Sequence, residues 1–336
     1  MNIKKILASV MTSVMVLGLF GCSSKSEDTS KVRIGFFSNI THAQALVGMN
    51  NGEFQKAIGD KYSISWKLFN AGPDELQSLL AGSIDIGYIG PGPALNGYIN
   101  SKGAIQIIAG ASSAGAVLVA AKDSSIKNVK DLSGKKVAIP QFGNTQDLSL
   151  RALLKENGLK EKTSGGTVDI VQAENSLIKT LISQHKIDAA LVPEPWGSRL
   201  EKEAGAKVVV DYKDVWRGGN YSVAVVVVRK DFMEKHPDVV ENFLKAHVKM
   251  SDYISSNPEK AKTEINKELD KLTKKPLKKD VLDKAFTRLV ITNYPIQDSI
   301  TEMAAISKGI GFIREEPDLT NLYNLDTLNK VVKEKQ

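Results

Sequence analysis

Residues 84–93 read IDIGYIGPGP, and this stretch decides the fold class. The apolar run from Ile84 to Ile89 has the length of a buried strand, and the glycines and prolines after it predict an abrupt turn. The residues before it, from Pro73 to Gly82, place leucines at helical spacing. A helix, a buried strand and a tight turn in this order form the unit of a parallel α/β sheet.

The same unit recurs later in the chain. Residues 187–196 read IDAALVPEPW and again follow an amphipathic helix, predicted from Ser176 to Gln184. Two lobes built on one plan would produce this echo, and so would chance recurrence of common α/β patterns. Strand-like and helix-like segments alternate up to Val210, and from Asp231 onward the pattern is nearly all helical.

The length exceeds what one hydrophobic core usually serves, so we predict two lobes. The chain would begin lobe one, build lobe two and return to complete lobe one with helices. The predicted boundaries are residues 31–116 for the first part of lobe one, 117–221 for lobe two and 222–336 for the mostly helical completion.

The N-terminus predicts export and a lipid anchor. Lys4 and Lys5 precede an apolar stretch, Ile6 to Phe20, that suits a signal peptide and is too short to span a membrane. Leu19-Phe20-Gly21-Cys22 resembles the bacterial lipobox, which predicts a signal peptide at residues 1–21, lipidation of Cys22 and a polar tether at 22–30. The alternative is a buried thiol near a signal core, but this single cysteine cannot form an internal disulfide.

The charge pattern indicates a solvated surface rather than a nucleic-acid interface. The formal net charge of +7 falls by two, to +5, when Lys4 and Lys5 are removed. The densest basic run, Lys271 to Lys279, has no interleaved aromatic residues for base stacking. We expect no nucleic-acid partner.

Catalytic and metal-binding patterns are missing from the sequence. The four histidines lie far apart, and there is no second cysteine to complete a zinc or iron–sulfur site. No phosphate loop or nucleophile elbow occurs, and Gly90 and Gly92 do not fit the dinucleotide fingerprint because Pro93 follows them. We predict neither an enzyme nor a cofactor.

Instead, four turns rich in small and hydrogen-bonding residues follow predicted strands. Ligands of parallel α/β sheets lie at the carboxyl ends of strands, where helix N-termini favour anions. Each turn alone could be an ordinary cap, but four in one topological position predict a ligand cleft. Asp147 argues against an anion unless it serves the cap. The turns are residues 38–42, 90–93, 111–115 and 141–146.

Four short blocks together resemble the substrate-binding lipoproteins of the aliphatic sulfonate, nitrate and taurine ABC importers. The likeness runs from about Lys31 to the C-terminus and is strongest to the aliphatic-sulfonate-binding branch. The blocks are NITHAQAL at 39–46, GYIGPGPA at 87–94, QFGNTQD at 141–147 and PEPWG at 193–197.

The resemblance implies a two-lobed periplasmic-binding-protein fold of type II, with two crossovers and a ligand cleft that closes by a hinge. It also implies a monomer held outside the cytoplasm by its lipid anchor and served by an ABC permease and its ATPase. The pocket residues that it implies are Asn39, His42, Gly90, Gly92, Ser112, Ser113, Gln141, Gly143, Asn144, Thr145, Glu194 and Trp196.

Each side chain also has an ordinary structural interpretation. Asn144 and Thr145 would hold a sulfonate, or simply cap a helix. His42 would donate a hydrogen bond, or pack. Trp196 would cover the apolar part of the ligand, or belong to the core. Glu194 would pair with the amine of a zwitterion such as taurine, or satisfy backbone donors at a helix start.

The predicted function is binding of a small organic anion, an aliphatic sulfonate or taurine, for import. Nitrate and neutral thiamine-precursor pyrimidines are the alternative ligands within the same fold. A ligand-sensing lipoprotein is the alternative role, and an anchored enzyme would need a nucleophile–base pair or a metal cluster.

Overall fold

The computed structural model describes residues 30–335, and the predicted signal peptide and Cys22 lie outside that range. The described chain forms two sheets, each the centre of one lobe. The predicted α/β class and the two-lobed architecture are both confirmed. Strands that are buried on both faces explain the long apolar runs in the sequence.

The first sheet has six strands in the order β11-β4-β10-β3-β1-β2. β1 is parallel to β2 and β3, whereas β10 is antiparallel to both of its neighbours. The strands are β1 (Lys31–Phe37), β2 (Ser63–Phe69), β3 (Ile86–Ile89), β4 (Ile105–Ala114), β10 (Ser222–Arg229) and β11 (Leu289–Ile291).

The second sheet has five strands in the order β7-β6-β8-β5-β9. β6 is parallel to β7 and β8, and β5 is antiparallel to β8 and β9. The strands are β5 (Ala116–Ala120), β6 (Lys136–Ile139), β7 (Asp169–Gln172), β8 (Ala189–Pro193) and β9 (Lys207–Val210).

Helices cover both faces of each sheet, so each lobe has two hydrophobic layers. The helices are α1 (Ala43–Asn51), α2 (Glu53–Ile58), α3 (Gly72–Leu80), α4 (Pro91–Asn100), α5 (Thr145–Glu156), α6 (Asn175–Ser183), α7 (Trp196–Ala204), α8 (Tyr212–Val215), α9 (Lys230–Lys235), α10 (Pro237–Ser256), α11 (Pro258–Thr273), α12 (Lys279–Phe286), α13 (Gln297–Gly309) and α14 (Asp326–Lys333). Among the described residues, no helix has the length and apolar character needed to cross a bilayer.

The chain passes between the sheets at two neighbouring points. It leaves the first sheet after Ala114, turns at Gly115, whose φ of 76° suits glycine, and enters β5. It returns through Tyr221 into β10, and the Ala114 N–H donates to the Tyr221 carbonyl at 2.9 Å. Two adjacent connections of this kind allow the lobes to rotate about a common hinge.

Two sequence expectations differ from the structure. Residues 111–115 were predicted to form a turn, but Ser112 and Ser113 lie inside β4 because β10 and β11 continue to pair with that strand. The C-terminal part is also less uniformly helical than predicted. It contains β11, which extends the first sheet, and an irregular connection over residues 310–325.

Candidate ligand-binding site

A buried cavity lies between the lobes where strands of both sheets end. It follows β1, β2 and β3 of the first sheet and β6, β7 and β8 of the second. We call it the inner cavity; its volume is about 20 Å³, room for roughly one water molecule. Its lining residues are all uncharged: Phe37, Asn39, Thr41, His42, Asn70, Ala71, Gly72, Gly90, Pro93, Pro140, Asn144, Thr145, Gln146, Asn175, Pro193 and Val223.

The N-terminus of α5 contributes backbone donors to the inner cavity. The Asn144 side chain caps this helix, because its Oδ1 accepts the Asp147 N–H at 2.8 Å. The Thr145 and Gln146 N–H groups occupy the first positions of the helix, where the helical ladder offers no acceptor. The Asn144 Nδ2 makes a long hydrogen bond to Gln146 at 3.3 Å. The arrangement suits an oxyanion.

Asp147 does not oppose an anion at this helix end. Its carboxylate accepts the Gly143 N–H at 2.8 Å and the Arg151 Nε–H at 2.7 Å, so it faces the helix cap and a cation. Burial raises the pKa of Asp147, while the Gly143 and Arg151 hydrogen bonds lower it. Gly143 has a φ of 78°, a conformation that turns its N–H toward Asp147 and favours glycine. The structure therefore places Gly143 in the cap rather than among the residues lining the cavity.

The N-terminus of α4 faces α5 across the cleft but has few donors. Pro91 and Pro93 carry no N–H, and the Gly92 N–H already points to Thr145 Oγ1 at 3.4 Å. A Cβ on Gly90 would overlap Thr145 Oγ1, and a Cβ on Gly92 would crowd Leu148 and the Thr145 N. Gly90 and Gly92 thus permit the two helix ends to approach each other.

His42 provides a neutral donor. The Phe37 N–H donates to His42 Nδ1 at 3.0 Å, which leaves the ring proton on Nε2. Burial lowers the pKa of His42 to about 3, so the ring stays uncharged at mildly acidic and neutral pH. The ring also stacks on Phe37 with a centroid separation of 4.5 Å. Both predicted roles, packing and donation, are compatible with this position.

Direct hydrogen bonds join the lobes around the inner cavity. Each bond connects a residue that follows a strand of the first sheet with a residue of lobe two. The described lobes therefore lie in a closed arrangement. The bonds are Trp196 Nε1 to Asn39 Oδ1 at 2.7 Å, Asn70 Nδ2 to Glu174 Oε1 at 3.2 Å and Gln141 Nε2 to Asp74 Oδ1 at 2.9 Å.

A larger cavity adjoins the inner one and shares four of its lining residues. We call it the outer cavity; its volume is about 520 Å³. Trp196, Phe69 and Leu200 give it an apolar surface, and the Arg199 guanidinium lies 5.6 Å from the centre of the Trp196 ring. Lys179, Arg199 and Lys275 place positive charge along it, including a lysine from the run that the sequence predicted to be solvated surface.

Three of the remaining predicted pocket residues lie away from the inner cavity. Ser112 donates its hydroxyl to the Thr41 carbonyl at 2.8 Å and so supports a lining residue. Ser113 pairs with β10 and β11 within the sheet. Gln141 bridges the lobes through Asp74.

The Glu194 side chain lies in a buried ion network beside the hinge and lines neither cavity, although its neighbours Pro193 and Pro195 do. The side chain is 0% exposed, and its carboxylate accepts the Ser198 N–H and hydroxyl at 3.0 Å and Arg288 Nη1 at 3.0 Å. Arg288 also contacts Glu201 and, through Nε, Asp211 at 3.1 Å. Burial raises the pKa of Glu194, and the bonds to Ser198 and Arg288 lower it. Glu194 therefore accepts hydrogen bonds from Ser198, near the start of α7, and from Arg288, and it does not face a ligand amine.

Asn70 and Asn175 also line the inner cavity, although neither is among the pocket residues predicted from the sequence. Asn70 follows β2, and Asn175 begins α6 after β7. The available signal was their position, because both occupy turns after strands just as the four selected turns do. Asn70 even precedes Gly72 and Pro73, which are typical turn residues, whereas the segment before Asn175 contains no glycine.

Fold and cleft together define the class: a two-lobed periplasmic-binding-protein fold with a polar cavity between its lobes. The NMT1-like family matches residues 25–267, and the chain belongs to that family.

Three known proteins that are similar to this chain are named as binding proteins. The taurine-binding periplasmic protein of Escherichia coli is 33% identical over 215 residues, which span 64% of each chain. The alkanesulfonate-binding protein SsuA from Xanthomonas axonopodis pv. citri, solved bound to MOPS, has a TM-score of 0.72 at 16% identity, covering 87% of this chain and 96% of that one. The nitrate-binding protein NrtA from Synechocystis has a TM-score of 0.76 at 14% identity, covering 91% and 89%.

Proposed function

We propose that this protein is the solute-binding component of an ABC importer and that it binds a small organic sulfonate between its lobes. The observation that carries the proposal is the inner cavity, where neutral donors of α5 and His42 meet at the ends of strands from both sheets. Family membership and the sulfonate-binding and taurine-binding relatives support the same conclusion.

The adjoining cavities favour an organic anion over nitrate. In the closed arrangement the inner cavity has room for roughly one water molecule, so a sulfonate head group would hold the lobes slightly further apart. The outer cavity provides room and the Trp196 surface for an alkyl chain. Nitrate would leave the outer cavity to water. A neutral pyrimidine would not benefit from the partial positive charge at the α5 N-terminus.

Titration calorimetry on the purified mature domain tests the proposed ligand class. Propane-1-sulfonate and taurine should bind at least about tenfold more tightly than butanoate, a difference of ~1.4 kcal/mol, and more tightly than nitrate or a pyrimidine. Because sulfonates stay ionised and His42 stays neutral, affinity should be flat from mildly acidic to mildly basic pH.

The Asn144→Ala variant should lose about 1–3 kcal/mol of sulfonate binding, because it removes the cap that orders the α5 N–H groups. Asn128→Ala is the matched control, since Asn128 caps another helix by accepting the Lys130 N–H at 2.9 Å. Equal affinities for sulfonate and butanoate, or an Asn144→Ala variant that binds like the Asn128→Ala control, would contradict the proposal.

We also propose that Cys22 carries the lipid anchor and that the mature protein delivers its ligand to a membrane permease with an ATPase. Two acyl chains anchor a protein stably, whereas one binds marginally. The Cys22→Ala variant should therefore leave the membrane fraction or keep its signal peptide. Membrane retention of a correctly cleaved Ala variant would rule out this anchor.

A further inference from the structure

Asn175 is a buried polar residue at the junction of the inner and outer cavities. It begins α6 in lobe two, its exposed fraction is 9%, and it lines both the inner and the outer cavity. It therefore lies where the head of a ligand in the inner cavity would join the chain that extends into the outer one.

The Asn175 Oδ1 has no hydrogen-bond partner within the part of the chain that the structure describes. Two donors close to the same cavities are already engaged: Trp196 Nε1 donates to Asn39 and Asn70 Nδ2 donates to Glu174. A buried carbonyl oxygen without a donor costs free energy, so a ligand that brings a donor gains affinity by satisfying it.

A sulfonate head group has only acceptors, so the donor must come from the ligand's chain. We propose that Asn175 Oδ1 accepts a hydrogen bond from an ammonium group, which makes the preferred ligand an amino-alkyl sulfonate. This inference rests on the proposed function and assigns its specificity to Asn175.

Charges of both signs line the outer cavity near Asn175: the Glu174 carboxylate favours an ammonium there, and the Lys275 side chain opposes one. The Glu174 carboxylate lines the outer cavity next to Asn175 and offsets the partial positive charge at the start of α6. Lys179 and Arg199, which also line that cavity, both pair with Glu203 at 2.7 and 3.1 Å. Glu194 is held by Arg288 and Ser198 in the buried network, whereas the Asn175 Oδ1 has no partner among the described residues.

Calorimetry with taurine and propane-1-sulfonate tests the inference, because the two ligands differ by an ammonium in place of a methyl group. Wild-type protein should prefer taurine by about tenfold. The Asn175→Ala variant should bind the two ligands within about twofold of each other. The Asn175→Asp variant should raise the preference for taurine by a further tenfold or so, since a carboxylate attracts the ammonium that only taurine carries. Ser183→Ala, at the exposed last position of α6 and outside the lining of both cavities, is the control and should keep the wild-type ratio.

The failures are distinguishable. If Asn175→Asp and Asn175→Ala weaken both sulfonates by the same factor, the amide donates to the anion or serves only the structure, and the inference is wrong while the proposed function stands. If neither sulfonate binds to the wild-type protein, the proposed function itself is wrong.

Discussion

The Gly90→Val variant should fold normally and bind sulfonates at least about tenfold more weakly than the wild-type protein. Gly90 has φ −68° and ψ 148°, which any residue adopts, so the backbone itself is not strained by the change. A side chain at this position would instead overlap Thr145 of the opposite lobe. Overpacking of this kind costs about 1–3 kcal/mol, and here the cost falls on the closed arrangement alone.

Thermal unfolding, calorimetry and small-angle scattering together test this expectation. The midpoint of unfolding without ligand should stay close to that of the wild type, while the ligand-induced decrease in radius of gyration should shrink or vanish. The Gly90→Ala variant should show a smaller effect, since rotation of the Thr145 hydroxyl relieves part of the overlap. Gly309→Ala is the control, because a Cβ there meets nothing within 4 Å. Wild-type affinity and full compaction of the Gly90→Val variant would show that the lobes do not close as described.

The Arg288→Met variant should lose about 3–5 kcal/mol of stability, which is the usual result of removing one partner from a buried ion pair. Arg288 is 4% exposed and joins Glu194 and Asp211 of lobe two to the start of β11. Without the guanidinium, the Glu194 carboxylate would keep only Ser198 as a partner.

Chemical denaturation at several pH values tests whether the unpaired Glu194 carboxylate causes the loss of stability. Burial raises the pKa of Glu194 and Arg288 lowers it, so the variant's Glu194 pKa should rise further. A raised folded-state pKa means that the variant loses stability as pH rises above the ordinary carboxyl range and recovers part of it in acid.

Arg288→Met combined with Glu194→Gln should recover much of the lost stability, because it also removes the unpaired buried charge. Lys308→Met, which breaks an exposed pair with Glu316, should cost less than about 1 kcal/mol. If Arg288→Met lost no more stability than the Lys308→Met control, the buried ion network would not stabilise the fold as expected.

Local sequence features predicted several of the turns that line the candidate site, because the geometry of a turn is local. The glycines and prolines after β3 and the Asn144 cap before α5 specify turns from their own conformational preferences. A turn that follows a parallel strand lies at the carboxyl edge of the sheet, and that edge forms the cleft.

The features that the sequence did not predict depend on contacts between distant residues. The sequence predicts a turn at Ser112 and Ser113, but both residues lie in β4. Their pairing partners come from β10 and β11, far along the chain. Glu194 pairs with Arg288, which lies 94 positions later in the chain, and no local sequence pattern predicts that pair. Lys275 belongs to a run that looks solvated, yet the fold places it beside the outer cavity.

A crystal structure of the protein grown with taurine, using the anomalous signal of the ligand's sulfur, tests most directly whether a sulfonate binds between the lobes. We expect a sulfur peak there, with sulfonate oxygens within hydrogen-bond distance of the first N–H groups of α5 and the ammonium directed toward Asn175. A sulfur peak on the surface of one lobe, or a filled cleft with the sulfonate away from α5, would contradict it.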